Sequence, residues 1–156
     1  MIHGEFQSST GKGNTLLPVF EAYISIRALG VDKERVPVVM DTGSDRTTIT
    51  ASFAYRVMHI DPAILPVTER QFGIRGFIEV HVVKALIEFP DTDHGHVGYE
   101  RDIAIEIPQG DSYKTGFTAP LLGKDIMLEW RIVFDATHKP DGLLTAEPFN
   151  YTSTRS

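Results

Sequence analysis

The sequence predicts a mostly β domain with one or two short helices. Three observations support this fold class. Apolar residues recur at every second position in several segments, which is the period of a strand with one buried face. Turns that contain glycine or proline separate these segments at short intervals, a spacing typical of a compact barrel or sandwich. The apolar runs are all far shorter than the ~20 residues of a membrane-spanning helix.

The composition predicts one domain of ordinary globular character. The chain has 156 residues, of which 42% are hydrophobic and 23% are charged, which excludes a disordered or low-complexity protein. It contains no cysteine, so disulfides, thiolate metal sites and cysteine nucleophiles are excluded. The net charge of −6 argues against a nucleic-acid partner, which would require a basic surface. No secretory signal is visible, so the compartment stays open and a cytoplasmic location is the expectation.

The first half of the chain is predicted to form two strands and a short helix. The segment Met1–Thr15 is polar and glycine-rich, so it is expected to be a flexible extension. Alternating apolar residues predict a strand over Leu17–Ala28, and a second apolar segment predicts a strand over Val36–Met40. A short helix that ends at Met58 is predicted, because a threonine and a serine stand where a helix cap is needed.

The middle of the chain is predicted to be a hairpin followed by a further strand. Apolar segments predict a strand pair over Glu69–Phe89, and two glycines three residues apart place its turn at Gly73–Gly76. The polar segment Pro90–Tyr99 is expected to be a loop. Isoleucines at every second position then predict a strand over Ile103–Ile107.

The last third is predicted to hold one helix and one strand. Two leucines and a glycine precede a short helix over Lys124–Trp130, and the apolar segment Arg131–Asp135 follows as a strand. The tail Ala136–Ser156 contains prolines and many small polar residues, so it is expected to be only partly ordered.

One loop concentrates groups that can do chemistry. The strand Val36–Met40 leads directly into Asp41, Thr42, Gly43 and Ser44. Gly43 permits a tight turn in which main-chain N–H groups point at the Asp41 carboxylate. An acid held by hydrogen bonds at the end of a strand suits general acid–base catalysis. Taken alone, Asp-Thr-Gly is an ordinary turn sequence, and a simple hairpin or Asx turn would explain it.

The order of the motifs resembles the retroviral-type aspartic proteases, or retropepsins. The resemblance covers about Leu16–Asp135 and implies a retropepsin-like closed β-barrel, the acid-protease half-domain, with one short C-terminal helix. It divides the chain into a flexible extension over 1–15, a protease domain over 16–135 and a tail over 136–156. The motifs that carry it are the active-site loop Asp41, Thr42, Gly43 and Ser44, the flap tip Gly73, Ile74, Arg75 and Gly76, and the helix entry Leu121, Leu122 and Gly123.

The resemblance implies an aspartic endopeptidase that works as a homodimer. Such catalysis needs two carboxylates that share a proton around one water molecule. The chain has one Asp-Thr-Gly, so two Asp41 carboxylates would meet on the axis of a two-fold dimer. Thr42 would link the two loops, and the flap would close over an extended polypeptide substrate. The resemblance implies no cofactor and no metal, and no membrane segment is expected.

Two finer roles follow from the same resemblance. Asp45 and Lys124 occupy the places where an acid and a base form a structural pair in the family, so an ion pair is expected between them. The Ser44 hydroxyl is expected to reach the outer oxygen of Asp41, where a hydrogen bond to the ionised form would lower the pKa of Asp41.

Other interpretations stay open at this point. A non-catalytic dimerisation or peptide-binding module could keep the same fold, and an unrelated small β-barrel would be a monomer with Asp41 in an ordinary turn. His94 and His96 lie beside two aspartates and could bind a metal. Their spacing matches no strong zinc motif, so a solvated loop is the preferred interpretation.

Overall fold

The computed structural model describes residues 1–8, 16–73 and 76–154, which form twelve strands and two short α-helices. The prediction of a mostly β fold is confirmed. The strands are β1 (Ile2–His3), β2 (Glu5–Ser8), β3 (Leu16–Ile26), β4 (Val31–Met40), β5 (Thr48–Ile49), β6 (Glu69–Gly73), β7 (Gly76–Asp91), β8 (Gly95–Glu106), β9 (Leu121–Leu122), β10 (Trp130–Asp135), β11 (Leu143–Pro148) and β12 (Thr152–Thr154), and the helices are α1 (Ala51–Arg56) and α2 (Lys124–Met127).

The strands form two sheets. The larger has nine strands in the order β12-β8-β5-β9-β4-β3-β7-β6, with β2 on β3 and an additional pairing of β7 with β8. The smaller has the order β1-β11-β10. Most neighbours are antiparallel, but β4 and β9 run parallel, with Val39 opposite Leu121 and Met40 opposite Leu122. This parallel pair places the end of β4 beside the start of α2.

The core is built from the inward positions of β3, β4, β7 and β8. Trp130 lies at its centre and is 6% exposed. Its ring packs edge-on against Phe20 and Phe89 at 5.2 and 4.8 Å, and its indole N–H donates to the Tyr99 hydroxyl at 2.8 Å. Each such fully buried large side chain contributes about 1.5–3 kcal/mol. The largest fully buried side chains are Phe20, Phe53, Phe89, Ile2, Ile24, Ile26, Ile49, Ile87, Ile103, Ile105, Leu122 and Ile126.

The N-terminal segment is ordered where the sequence predicted a flexible extension. Residues 1–8 form β1, which pairs with β11, and β2, which pairs with β3. Ile2 is 1% exposed, opposite Ala146. The prediction is wrong for these eight residues, because a single buried isoleucine whose partner lies at the other end of the chain leaves no local pattern.

The C-terminal segment is also more ordered than predicted. After β10, β11 pairs along the whole length of that strand, from Asp135 opposite Leu143 to Trp130 opposite Pro148. β12 then adds to β8 through Thr152 opposite Gly98. Helix α2 ends at Met127, which is earlier than the predicted end at Trp130.

The expected loop over Pro90–Tyr99 is a tight turn between two long strands. β7 continues to Asp91, and β8 begins at Gly95. Val97 and Tyr99 are buried in the core, which explains why the strand starts so early. Among the described residues, no helix is long and apolar enough to cross a bilayer.

Candidate active site

Asp41 follows the last residue of β4, and its main chain is fixed by the neighbouring segment. Its N–H donates to the Leu122 carbonyl at 3.1 Å, and the N–H of Val39 donates to the Pro120 carbonyl at 2.9 Å. Asp41 is partly buried, whereas Thr42 is exposed. The parallel pair β4–β9 therefore carries the carboxylate to the surface on a main chain that the sheet holds in place.

The carboxylate of Asp41 receives a main-chain hydrogen bond from its own turn. The N–H of Gly43 donates to Oδ1 at 2.9 Å, and the N–H of Ser44 donates to the Asp41 carbonyl at 3.2 Å. A Cβ atom at position 43 would lie 3.2 Å from that carboxylate oxygen, so glycine preserves the close approach. The main-chain donor that the sequence predicted for this carboxylate is present.

The Ser44 hydroxyl does not contact Asp41. It donates to the Arg46 carbonyl at 2.7 Å, and the Thr48 hydroxyl donates to the same carbonyl at 3.0 Å. The expected Ser44–Asp41 hydrogen bond is therefore wrong. The turn brings a partly buried carbonyl of residue 46 within reach of Ser44, and an acceptor in that position requires a donor.

The loop is supported from below by Thr47, Gly123 and Asp125. The Thr47 N–H and hydroxyl donate to the two carboxylate oxygens of Asp125 at 3.0 and 2.8 Å, and the same hydroxyl accepts from the Gly123 N–H at 3.1 Å. Thr47 is fully buried. A Cβ atom at position 123 would lie 2.7 Å from the Thr47 nitrogen, closer than real Cβ atoms come, so only glycine fits.

Asp45 and Lys124 form the expected ion pair. The Lys124 ammonium lies 2.8 Å from Oδ1 of Asp45, and this hydrogen bond holds the pKa of Asp45 below its ordinary value. The Asp45 side chain is largely exposed and that of Lys124 is partly exposed, so the pair itself adds little stability. The main chain contributes in parallel, because the Lys124 N–H donates to the Ser44 carbonyl at 2.8 Å.

The predicted flap is a two-stranded hairpin made by β6 and the start of β7. Gly73 ends β6 and pairs with Gly76, which has a φ of +101° in the region that favours glycine. Ile74 and Arg75 lie outside the described residues. Next to the tip, the rings of Phe72 and Phe77 pack edge-on at 4.8 Å and are 80% and 61% exposed.

The polar side chains of the turn between β7 and β8 form hydrogen bonds with other residues of the protein. His94 Nδ1 lies 2.9 Å from Oδ1 of Asp91, and His94 Nε2 lies 2.8 Å from the Tyr151 hydroxyl. His96 packs beside Tyr23 with ring centroids 5.8 Å apart. In the part of the chain that is described, no group of three or more His, Asp or Glu side chains is arranged to hold a metal ion.

Two crevices of the described chain lie away from the Asp41 carboxylate. One of about 560 Å³ opens between β8 and the segment before β12, and Tyr99, Arg101 and Tyr151 are among its lining residues. A catalytic cleft formed by two half-sites would not be a cavity of one protomer. The position of this crevice therefore does not conflict with a site at Asp41.

Four residues that shape this loop were not predicted from the sequence. Thr47 and Asp125 hold it from below, and Arg46 forms an ion pair with Glu69 of β6, with Nη1 and Oε2 2.8 Å apart. The paired residues lie 78 and 23 positions apart in the chain. Neither pair belongs to a local pattern, so the motif order was the only signal that could have brought them together.

Comparison with solved structures finds two proteases that the chain resembles. It is similar to EIAV protease in complex with an inhibitor, with a TM-score of 0.46 and 14% identity over 78% of this chain and 92% of that one. It is also similar to a retropepsin-like aspartic protease from Rickettsia conorii, with a TM-score of 0.44 and 17% identity over 81% of this chain and 88% of that one. No family model and no curated protein sequence matches the chain.

Proposed function

We propose that the chain is an aspartic endopeptidase of the retropepsin type that acts as a homodimer. The observation that carries this proposal is the state of the Asp41 carboxylate. It lies at the end of a rigid strand, at the surface, with one oxygen bound by the Gly43 N–H at 2.9 Å. A carboxylate that is fixed in place but keeps capacity for further hydrogen bonds is what a catalytic acid or base requires.

In the proposed dimer, two Asp41 carboxylates share one proton and one water molecule. Two carboxylates about 3 Å apart cannot both be ionised, so one of the two carries the shared proton. The ionised carboxylate removes a proton from the water molecule while the water oxygen attacks the peptide carbonyl carbon. The protonated carboxyl group donates its proton to the carbonyl oxygen. Transfer of a proton to the amide nitrogen then allows the C–N bond to break, which releases a carboxyl and an amino product.

The residues around Asp41 have supporting roles in this proposal. Thr42, which is exposed, would meet its counterpart across the two-fold axis of the proposed dimer, and the Thr47–Asp125–Gly123 hydrogen bonds would keep the two carboxylates in register. The hairpin with its tip at Gly73–Gly76 covers an extended peptide, whose main chain it can bind as an added strand does.

The test is peptide hydrolysis by the wild type and by Asp41→Asn. The substitution keeps the volume and shape of the side chain but removes the base, so cleavage is expected to fall by about a thousandfold or more while the fold is retained. Asp111→Asn is the matched control, because Asp111 is 93% exposed and lies in a different loop. Its activity is expected to equal that of the wild type.

The same experiment separates the enzyme from a non-catalytic module on the same fold. Wild-type activity that falls on dilution, together with a dimer seen by sedimentation, supports the enzyme, because each protomer carries half a site. Binding of peptides without cleavage by the wild-type dimer would support the binding module instead. Full activity in pure Asp41→Asn would refute the assignment of Asp41.

A further inference from the structure

The hairpin beside the Asp41 loop projects beyond the sheet. We define the arm as residues 69–73 of β6 and 76–79 of β7. β7 pairs with β8 only from Val80 onward and with β3 at residues 86–88, so within the described chain the start of β7 pairs with β6 alone. An isolated two-stranded hairpin is marginally stable in water. The position of the arm must therefore depend on the few contacts at its base.

The contacts at the base of the arm go to two different parts of the molecule. The Ile107 N–H donates to the Glu79 carbonyl at 2.9 Å, which joins the arm to the end of β8. Glu69, on the other strand, accepts from Arg46 Nη1 at 2.8 Å. In the described chain this ion pair is the one side-chain hydrogen bond between the arm and the segment that carries Asp41.

The main chain of Arg46 is held in place by hydrogen bonds, so its side chain extends from a well-anchored position. Its carbonyl accepts hydrogen bonds from the hydroxyls of Ser44 and Thr48, so its main chain is held from both sides. Its side chain is 27% exposed, and that of Glu69 is 48% exposed. One end of the ion pair thus belongs to the rigid loop and the other to the marginally stable arm.

We propose that the Arg46–Glu69 ion pair is a tether that holds the arm against the segment that carries Asp41. Breaking the pair frees the arm from the loop, and the arm, which is marginally stable alone, then opens more often while the rest of the protein stays folded. The proposal rests on the proposed function for what the arm covers, namely a bound peptide. Arg46 and Glu69 are positioning residues in this scheme, because they act through the arm and not on the reacting atoms.

The size of the effect follows from the exposure of the pair. Partly exposed ion pairs shift an equilibrium by about two- to fivefold, and salt screens them. Amide exchange of residues 69–72 and 77–79 is therefore expected to accelerate two- to fivefold in Arg46→Gln and in Glu69→Gln. High salt is expected to raise the exchange rate of the same amides in the wild type and to leave their exchange rate in both variants unchanged.

The experiment is amide exchange followed by mass spectrometry, with no peptide present. It compares the wild type, both single variants, the double variant Arg46→Gln/Glu69→Gln and the charge reversal Arg46→Glu/Glu69→Arg. The double variant is expected to exchange no faster than either single one, and the charge reversal is expected to restore slow exchange. Arg35→Gln is the matched control, because it breaks an exposed ion pair with Glu21 at 2.7 Å away from the arm.

Two results would overturn the tether. One is unchanged exchange of the arm in both single variants, and the other is a double variant whose acceleration equals the product of the two single effects. Amide exchange tests the tether without any hydrolysis, and the Asp41→Asn variant tests the catalytic role of Asp41 by hydrolysis. Either proposal can therefore be refuted while the other stands.

Discussion

Asp41 and Asp91 occupy turns with the same local hydrogen bond, but their carboxylates differ in burial and in the number of their partners. Each follows or ends a long strand, and each accepts on Oδ1 from the N–H two residues later, Gly43 at 2.9 Å and Asp93 at 2.8 Å. The Asp91 side chain has no exposed surface and also binds the Met1 ammonium and both the N–H and the ring of His94. In the described chain, the Asp41 carboxylate has Gly43 as its one hydrogen-bond partner.

The difference shows how a fold keeps one carboxylate available for chemistry. The Asp91 turn is held together by its own carboxylate, whose hydrogen bonds are all in use. The Asp41 turn is held by its main chain and by Gly123, Lys124 and Asp125, so its carboxylate does not have to stabilise the turn. Removal of the Asp41 carboxylate should therefore abolish activity, whereas removal of the Asp91 carboxylate should lower stability.

The largest effect within this comparison is expected for Gly123→Ala. The added Cβ would meet the main chain of Arg46 and Thr47, which cannot move without loss of the Thr47–Asp125 hydrogen bonds. We expect a loss of unfolding free energy of about 3 kcal/mol or more and loss of peptidase activity. Urea denaturation and peptide hydrolysis measure the two effects. Gly110→Ala is the control, because the space around that glycine is open, and wild-type behaviour of Gly123→Ala would show that the support is not required.

An intermediate effect is expected for Asp91→Asn. The amide cannot pair with the Met1 ammonium and His94 as the buried carboxylate does, so a loss of about 1–3 kcal/mol is expected at pH 7, with normal specific activity. Burial raises the pKa of Asp91, but the Met1 ammonium and the hydrogen bonds from residues 93 and 94 outweigh it, and the net pKa is lowered from 3.8.

The pH dependence of this variant follows from that lowered pKa. The contribution of Asp91 is fully present above pH 3.8 and is lost as the pH falls through the lower pKa of the folded state. The stability difference between wild type and Asp91→Asn should therefore shrink in strong acid, as measured by denaturant midpoints at several pH values. A difference that stays constant down to the lowest pH at which the protein folds would contradict the role assigned to the charge.

The smallest effect is expected for Ser44→Ala. Its hydroxyl donates to the Arg46 carbonyl and not to Asp41, so its removal should cost about 1 kcal/mol of stability and leave the acidic limb of the pH–rate profile in place. The profile is measured at protein concentrations that keep the dimer assembled. An upward shift of the acidic limb would show that Ser44 binds the dyad, as the family resemblance implied.

The sequence was informative where a pattern is local, and the family resemblance supplied one distant pair, Asp45 and Lys124. It was silent on the other contacts that span the chain. Period-two alternation located β3 and the last part of β8, two glycines between apolar segments located the hairpin of β6 and β7, and the Asp-Thr-Gly turn predicted the donor to Asp41. Residues whose partners are distant escaped, as Ile2, Thr47 and Arg46 show, because each is a single residue with no repeated spacing around it. The misassigned Ser44 hydroxyl has the same origin, since its choice of acceptor depends on where the Arg46 carbonyl points.

The small sheet that joins β1, β11 and β10 has a consequence for how the chain folds. Ile2 is synthesised well before Ala146, but it is buried only when the two residues lie opposite each other. At about 5–20 residues per second, synthesis reaches residue 146 roughly 7–30 s after residue 2. A contact between such distant positions also carries a large loop-closure entropy, so it is expected to form late. A newly made chain therefore spends that interval with the apolar side chain of Ile2 exposed, when a chaperone or a second copy has its best access to it.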